Sequence, residues 1–100
     1  MQLRDKVAYV TGAASGIGKA IALRYAREGA KIAIADLNID AAEAAASEIR
    51  NAGGQAIGVA VDVTDEIQVD VSVAATVQAF GTVDILVSNA GIKIVHAVED

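Results

Sequence analysis

An α/β fold with a parallel, doubly wound sheet is what this 100-residue sequence predicts, on three observations. Apolar runs alternate with longer amphipathic segments in the order β-α-β-α-β-α-β, and strands that run parallel need such crossovers between them. Hydrophobic residues make up 54% of the chain and aromatics only 3%, a small aliphatic core that suits strands covered on both faces. Glycines fall where each amphipathic segment stops, at Gly29, Gly53-Gly54 and Gly81, as expected at helix C-termini. About four strands and three helices follow, in one domain spanning residues 1–100.

The first strand is Val7–Val10, and the helix after it, Gly16–Glu28, carries Ile17, Ile21 and Tyr25 at helical spacing. Lys31–Ala35 reads as the second strand and Ile39–Asn51 as the second helix, with Asn38 at its N-cap. Ala56–Val61 is the third strand. The helix Asp65–Phe80 follows, with Thr64 at its N-cap and Asp65-Glu66 placing negative charge in its first turn. Within it Ile67, Val69, Val71 and Val73 alternate with polar residues, which is the period of a strand. The stretch is too long for an ordinary strand and a crossover is needed there, so we read a helix with Ile67, Val71 and Ala74 as its apolar stripe. Val83–Val87 is the fourth strand.

Composition excludes several function classes. A net charge of −5 argues against non-specific nucleic-acid binding. No apolar run approaches the roughly 18 residues of a membrane helix, and Met1–Lys6 is polar rather than a secretory leader. With no cysteine there is no disulfide and no thiolate metal site, which is compatible with a reducing cytoplasm. No metal site is expected.

Chemistry gathers at the carboxyl ends of the strands. After Val10 comes Thr11-Gly12-Ala13-Ala14-Ser15-Gly16-Ile17-Gly18, a glycine-rich turn that opens a helix. Such a turn brings backbone N–H groups and the positive end of a helix dipole to an anion, although its spacing differs from G-x-G-x-x-G. Asp36 ends the second strand 18 residues after Gly18, where nucleotide-binding sheets place the carboxylate that accepts bonds from a ribose. A carboxylate there repels a 2′-phosphate, and neither Ala14 nor Leu37 supplies a cation for one, so NAD is expected over NADP. The competing reading is a carboxylate that caps the next helix. Asp62 could bond an adenine amino group and Val63 could pack on its ring, or both could form an ordinary turn. Asn89-Ala90-Gly91 is read as ending the fourth strand, where Asn can tie strand ends and the small residues admit a ribose. All four sites lie on the edge where open α/β sheets bind ligands.

Thr11-Gly12-x-x-x-Gly16-Ile17-Gly18, Asp36, Asp62-Val63 and Asn89-Ala90-Gly91 together resemble the short-chain dehydrogenase/reductase family, over Val7 to Gly91. The resemblance implies a Rossmann-type sheet and an oxidoreductase that binds a nicotinamide cofactor. It implies that Gly12, Ser15, Ile17 and Gly18 contact the pyrophosphate and adenosine side, with Gly16 in the same loop. It also implies that Asp36 selects NAD, Asp62 and Val63 hold adenine, and Asn89 to Gly91 flank the second ribose. Ser88 stands where the family often has a second Asn. Ala35–Asn38 and Ser88–His96 are similar to bacterial D-3-hydroxybutyrate dehydrogenases, which carry Gln at the position of Lys93 to hold the substrate carboxylate. Lys93 could serve the same anion as a point charge, or be a solvated loop lysine. His96 has no neighbouring acid in sequence and is not read as catalytic.

The family's proton relay is a Ser and a Tyr-x-x-x-Lys pair. Here Tyr9 is followed four residues later by Ala13, and Tyr25 by Gly29, so both tyrosines read as core and no catalytic residue is present. The expected identity is therefore the amino-terminal, cofactor-binding part of an enzyme acting on a small hydroxy acid, D-3-hydroxybutyrate first. Acetoin or a diol, a sugar alcohol and a 3-oxoacyl thioester are the alternatives, with a non-catalytic nucleotide-binding module as the rival from another class. The complete enzyme is expected to be a homo-oligomer. The chain by itself is expected to be inactive, with Val83–Val87 as an unpaired sheet edge prone to association.

Overall fold

Both faces of a parallel sheet are covered, so its strands draw on Val, Ile and Ala. β1 (Val7–Thr11) is buried at every position and β2 (Lys31–Asp36) at its four central residues. With β3 (Ala56–Ala60) and β4 (Ile85–Ser88) they form a parallel sheet in the order β3-β2-β1-β4. The computed structural model describes residues 3–14 and 16–88, and the backbone alone of 91–94. Chain order runs outward from β1 to β3 and then returns to β1's other side. The carboxyl ends of β1 and β4 therefore flank the point where winding reverses, the usual ligand crevice of such sheets. The expected Rossmann-type architecture is present.

Alternate strand residues face opposite layers. Ala8, Val10, Ile32 and Ile34 pack with helices α1 (Gly16–Arg27) and α2 (Ile39–Asn51). Tyr9, Ala33 and Ala35 face helix α3 (Glu66–Phe80). Gly29, Gly53 and Gly81 close the three helices with φ of 101°, 97° and 92°, a conformation that costs glycine least.

α1 reaches the sheet only from Ile21 onward, with Ala22 buried and Tyr25 half-buried against the core. Ile17, expected to lead that stripe, is 81% exposed. α2 begins as expected, with the Asn38 side chain accepting the Ala41 N–H at 3.1 Å. It buries Ala42, Ala45, Ala46 and Ile49, and small side chains let its backbone come close to β3. A Cβ on Gly58 would lie 2.9 Å from the Glu43 nitrogen.

α3 is a helix despite its strand-like alternation, but two expectations about it are corrected. Its N-cap is Asp65 rather than Thr64, with the carboxylate accepting the N–H groups of Ile67 and Gln68 at 3.0 and 3.3 Å. Thr64 is engaged elsewhere, its N–H and hydroxyl both donating to Asp62. Ile67 and Val71 face outward, at 74% and 63% exposure, and Ala74 is exposed beside them. The inward stripe is Val69, Ser72, Val73, Thr76 and Val77. Two hydroxyl residues sit in it because backbone carbonyls accept their protons, Thr76 to Ser72 and Ser72 to Val69.

The far side of β4 also differs from expectation. β5 (Gly91–Ile94) runs antiparallel to β4, with Ser88 opposite Gly91 and Ile85 opposite Ile94. Only two residues separate the strands, too few for a parallel crossover. Gly91 thus opens a fifth strand instead of ending the fourth, and β4 is not an open edge. Val83 lies before β4 and is buried there, while Asp84 accepts the Val7 N–H at 2.9 Å. Among the described residues, no helix is long and apolar enough to cross a membrane.

Candidate functional site

At the end of β1, the Gly12 N–H donates to Ala35 at 2.8 Å and the Thr11 hydroxyl donates to the Val87 carbonyl at 3.3 Å. The loop thus leaves from a point tied to both neighbouring strands. Gly12 and Gly16 each have φ of 64°, which a side chain disfavours. Gly18 is needed for contact rather than conformation. A Cβ there would strike the Gly12 carbonyl oxygen and sit 2.9 Å from its carbonyl carbon. The loop is folded onto the first turn of α1, whose leading N–H groups have no partner within the helix.

Asp36 closes β2, and one of its carboxylate oxygens accepts the Asn38 N–H at 3.1 Å. That bond fixes the carboxylate without burying it. Beyond β3, Asp62 accepts both donors of Thr64, the hydroxyl at 2.6 Å and the N–H at 2.9 Å. The hydroxyl first, and then the N–H, holds the Asp62 carboxyl below the usual aspartate range. Its own N–H donates to Gln68 Oε1 at 2.9 Å, joining this turn to α3.

A cleft of about 550 Å³ at this edge brings Gly12, Asp36, Asp62 and Val63 together. That volume lies within the range of small-molecule sites. Thr11, Leu37, Leu86 and Ser88 also line it, with Tyr9 forming part of its wall. Among the described residues no lysine or arginine lines it. Leu37 and Val63 stand 73% and 58% exposed at its mouth. Gly16, Ile17 and Gly18 do not line the cleft; they shape the loop and helix start beside it. Ser15, Asn89, Ala90 and His96 lie outside the described residues. Gly91 and Lys93 fall in β5, the backbone of Lys93 opposite Leu86, which places Lys93 in a strand and not a loop. Leu37 and Tyr9 were legible only in part. An apolar residue directly after the strand-end acid was the signal for Leu37, whereas Tyr9 reads as core and is both core and wall.

Burial raises the Tyr9 phenol above the usual tyrosine value. Tyr9 is therefore a neutral hydroxyl at ordinary pH, not a base.

An open α/β sheet with a glycine loop and a strand-end carboxylate at its switch point defines a nucleotide-binding architecture. The family model described as "short chain dehydrogenase" matches residues 6–100, and the chain belongs to that family. Sorbitol dehydrogenase of Cereibacter sphaeroides is 49% identical over 92 residues, covering 92% of this chain and 35% of its own. D-threitol dehydrogenase of Mycolicibacterium smegmatis is 50% identical over 91 residues, covering 91% and 35%. The crystal structure of a hydroxysteroid dehydrogenase from Escherichia coli superimposes with a TM-score of 0.82 at 40% identity, covering 84% of this chain and 34% of that one. The chain spans about a third of the length of these relatives.

Proposed function

We propose that these residues are the NAD-binding part of an oxidoreductase that moves a hydride between NAD and a secondary alcohol or its ketone. Asp36 carries the reading. It is a half-buried strand-end carboxylate, fixed by the Asn38 N–H, in a cleft whose described lining holds no cation. Such a group accepts bonds from ribose hydroxyls and repels a 2′-phosphate, which favours NAD over NADP. The left-handed Gly12 and Gly16 and the absent Cβ of Gly18 fit a loop that a pyrophosphate approaches closely, and Ser15, which precedes Gly16 in sequence, is assigned to the same contact. Asp62 and Val63 would hold the adenine, and Asn89, Ala90 and Gly91 the second ribose. Bound nicotinamide supplies the hydride acceptor or donor. The chain's own part is to bind and orient, because neither tyrosine begins a Tyr-x-x-x-Lys pair; the proton relay is assigned to residues outside these hundred.

For substrate, the likeness of Ser88–His96 to D-3-hydroxybutyrate dehydrogenases supports a small hydroxy acid, with Lys93 near its carboxylate. Relatives named for sorbitol and D-threitol favour a polyol as the second reading. In either case we read a cytoplasmic homo-oligomer that takes a small-molecule substrate and no nucleic acid. Calorimetric titration with NAD tests the cofactor reading. The chain is expected to bind NAD, and Gly18→Val to abolish binding by displacing the Gly12 carbonyl. Wild-type affinity in that variant would refute the loop assignment.

A further inference from the structure

Tyr9 is fully buried, yet it belongs to the wall of the cleft. Its hydroxyl oxygen lies 2.5 Å from Ser72 Oγ on α3. Ser72 has a single hydroxyl proton and donates it to the Val69 carbonyl at 2.8 Å. Tyr9 is therefore the donor to Ser72. The relay runs from β1 into the first turns of α3, and Val69 itself lines the cleft. One residue earlier, Gln68 accepts the Asp62 N–H, and both its N–H and its side-chain amide donate to Asp65. The turn that presents Asp62 and Val63 thus hangs on the start of α3. Of the apolar residues at that start, Val69 packs on the core and Ile67 is exposed. The only fully buried residues of α3 are Ser72 and Thr76, both hydroxyl-bearing, and its inward valines are half-buried.

We infer that Tyr9 is a positioning residue whose phenolic O–H, through Ser72, sets where α3 begins and so places Asp62 and Val63 in the cleft. The consequence for ligand binding rests on the NAD reading; the hold on the turn does not. Phe at position 9 would keep the ring against the core and leave Ser72 bonded to Val69 alone, so the change isolates one hydrogen bond.

Tyr9→Phe, Ser72→Ala and the double variant of this chain provide the test, with two readouts. The first is amide hydrogen exchange without ligand. Exchange at Asp62, Gln68 and Val69 is expected to quicken in each single variant, and no further in the double variant than in Tyr9→Phe. The β2 amides of Ile32 and Ile34 should not change. The second is adenosine 5′-monophosphate affinity, expected to fall about fivefold in Tyr9→Phe, the scale of one neutral hydrogen bond. Unchanged exchange at Asp62 and Gln68, or equal quickening in β2, would overturn the positioning role. Faster exchange with unchanged affinity would overturn its consequence for the ligand. If the unmutated chain binds no adenosine 5′-monophosphate, the NAD reading fails while exchange still judges the positioning role.

Discussion

α2 and α3 cover opposite faces of one sheet and are held there by different chemistry. α2 buries Ala42, Ala45, Ala46 and Ile49, begins on an Asn38 cap, and lies so close to β3 that Gly58 has no room for a Cβ. α3 buries two hydroxyl residues, half-buries its valines and leaves Ile67 and Val71 in solvent. Apolar burial and close packing hold the first helix; the second rests on half-buried valines and on one side-chain hydrogen bond across to the sheet, between Tyr9 and Ser72. The cleft inherits this asymmetry. Gly12 and Asp36 stand on strands tied to the tightly packed face, while Asp62 and Val63 stand on the turn into α3. The cleft has a firm wall and a compliant one.

Truncating one inward side chain on each face to alanine would break or sharpen this contrast most. Ile49→Ala should cost about 2–4 kcal/mol, the usual range for an emptied core site. Val73→Ala on α3 should cost about 1 kcal/mol, because a half-buried site loses less apolar burial. Urea denaturation of both variants measures the difference, and equal losses would remove the asymmetry.

Alkaline pH probes the compliant face alone. The Tyr9 phenol is raised by burial in the fold, so its contribution to stability is complete below the ordinary tyrosine value near 10. It is lost as pH rises through the higher folded value. Denaturation midpoints from about pH 8 to about pH 11 should fall in the parent chain and fall less in Tyr9→Phe. Matching profiles would show that the phenol does not carry the loss.

Asp62 gives the smallest effect, since it is only half-buried. Its folded value is lowered, so its contribution is present above the ordinary aspartate range and is lost as pH falls through the lowered one. Carboxylate titration by NMR should find Asp62 below an ordinary aspartate. Thr64→Val, which removes the larger of the two Thr64 contacts, should return it part of the way. An ordinary value in the parent chain would contradict the Thr64 contacts.

What the residues disclose follows the same division. The tightly packed face was legible because its signals are local: apolar runs, the Asn38 cap, terminal glycines. Ile39–Asn51 was bounded correctly as a helix for that reason. α3 was misread in its orientation because Ser72 and Thr76 occupy its inward stripe, and only the fold shows that Tyr9 and helix carbonyls satisfy them. Thr64 looked like the cap until Asp62 was seen to take both its donors. β5 depends on a tertiary pairing that Gly91–Ile94 does not announce. At the site, Gly12, Asp36, Asp62 and Val63 were placed together by strand-end position alone, and the cleft does unite them. Leu86 joins through pairing across strands, beside Tyr9, which no spacing reveals.

The account stands most directly on Asp36. Titrating NAD and NADP into the parent chain and into Asp36→Ala measures whether that carboxylate reads the adenosine ribose. NAD should bind in preference to NADP, and the variant should lose about 1–3 kcal/mol toward NAD, as for a hydrogen bond to a charged group. Affinity for NADP should rise at the same time. An NAD/NADP preference that survives Asp36→Ala unchanged would contradict the claim.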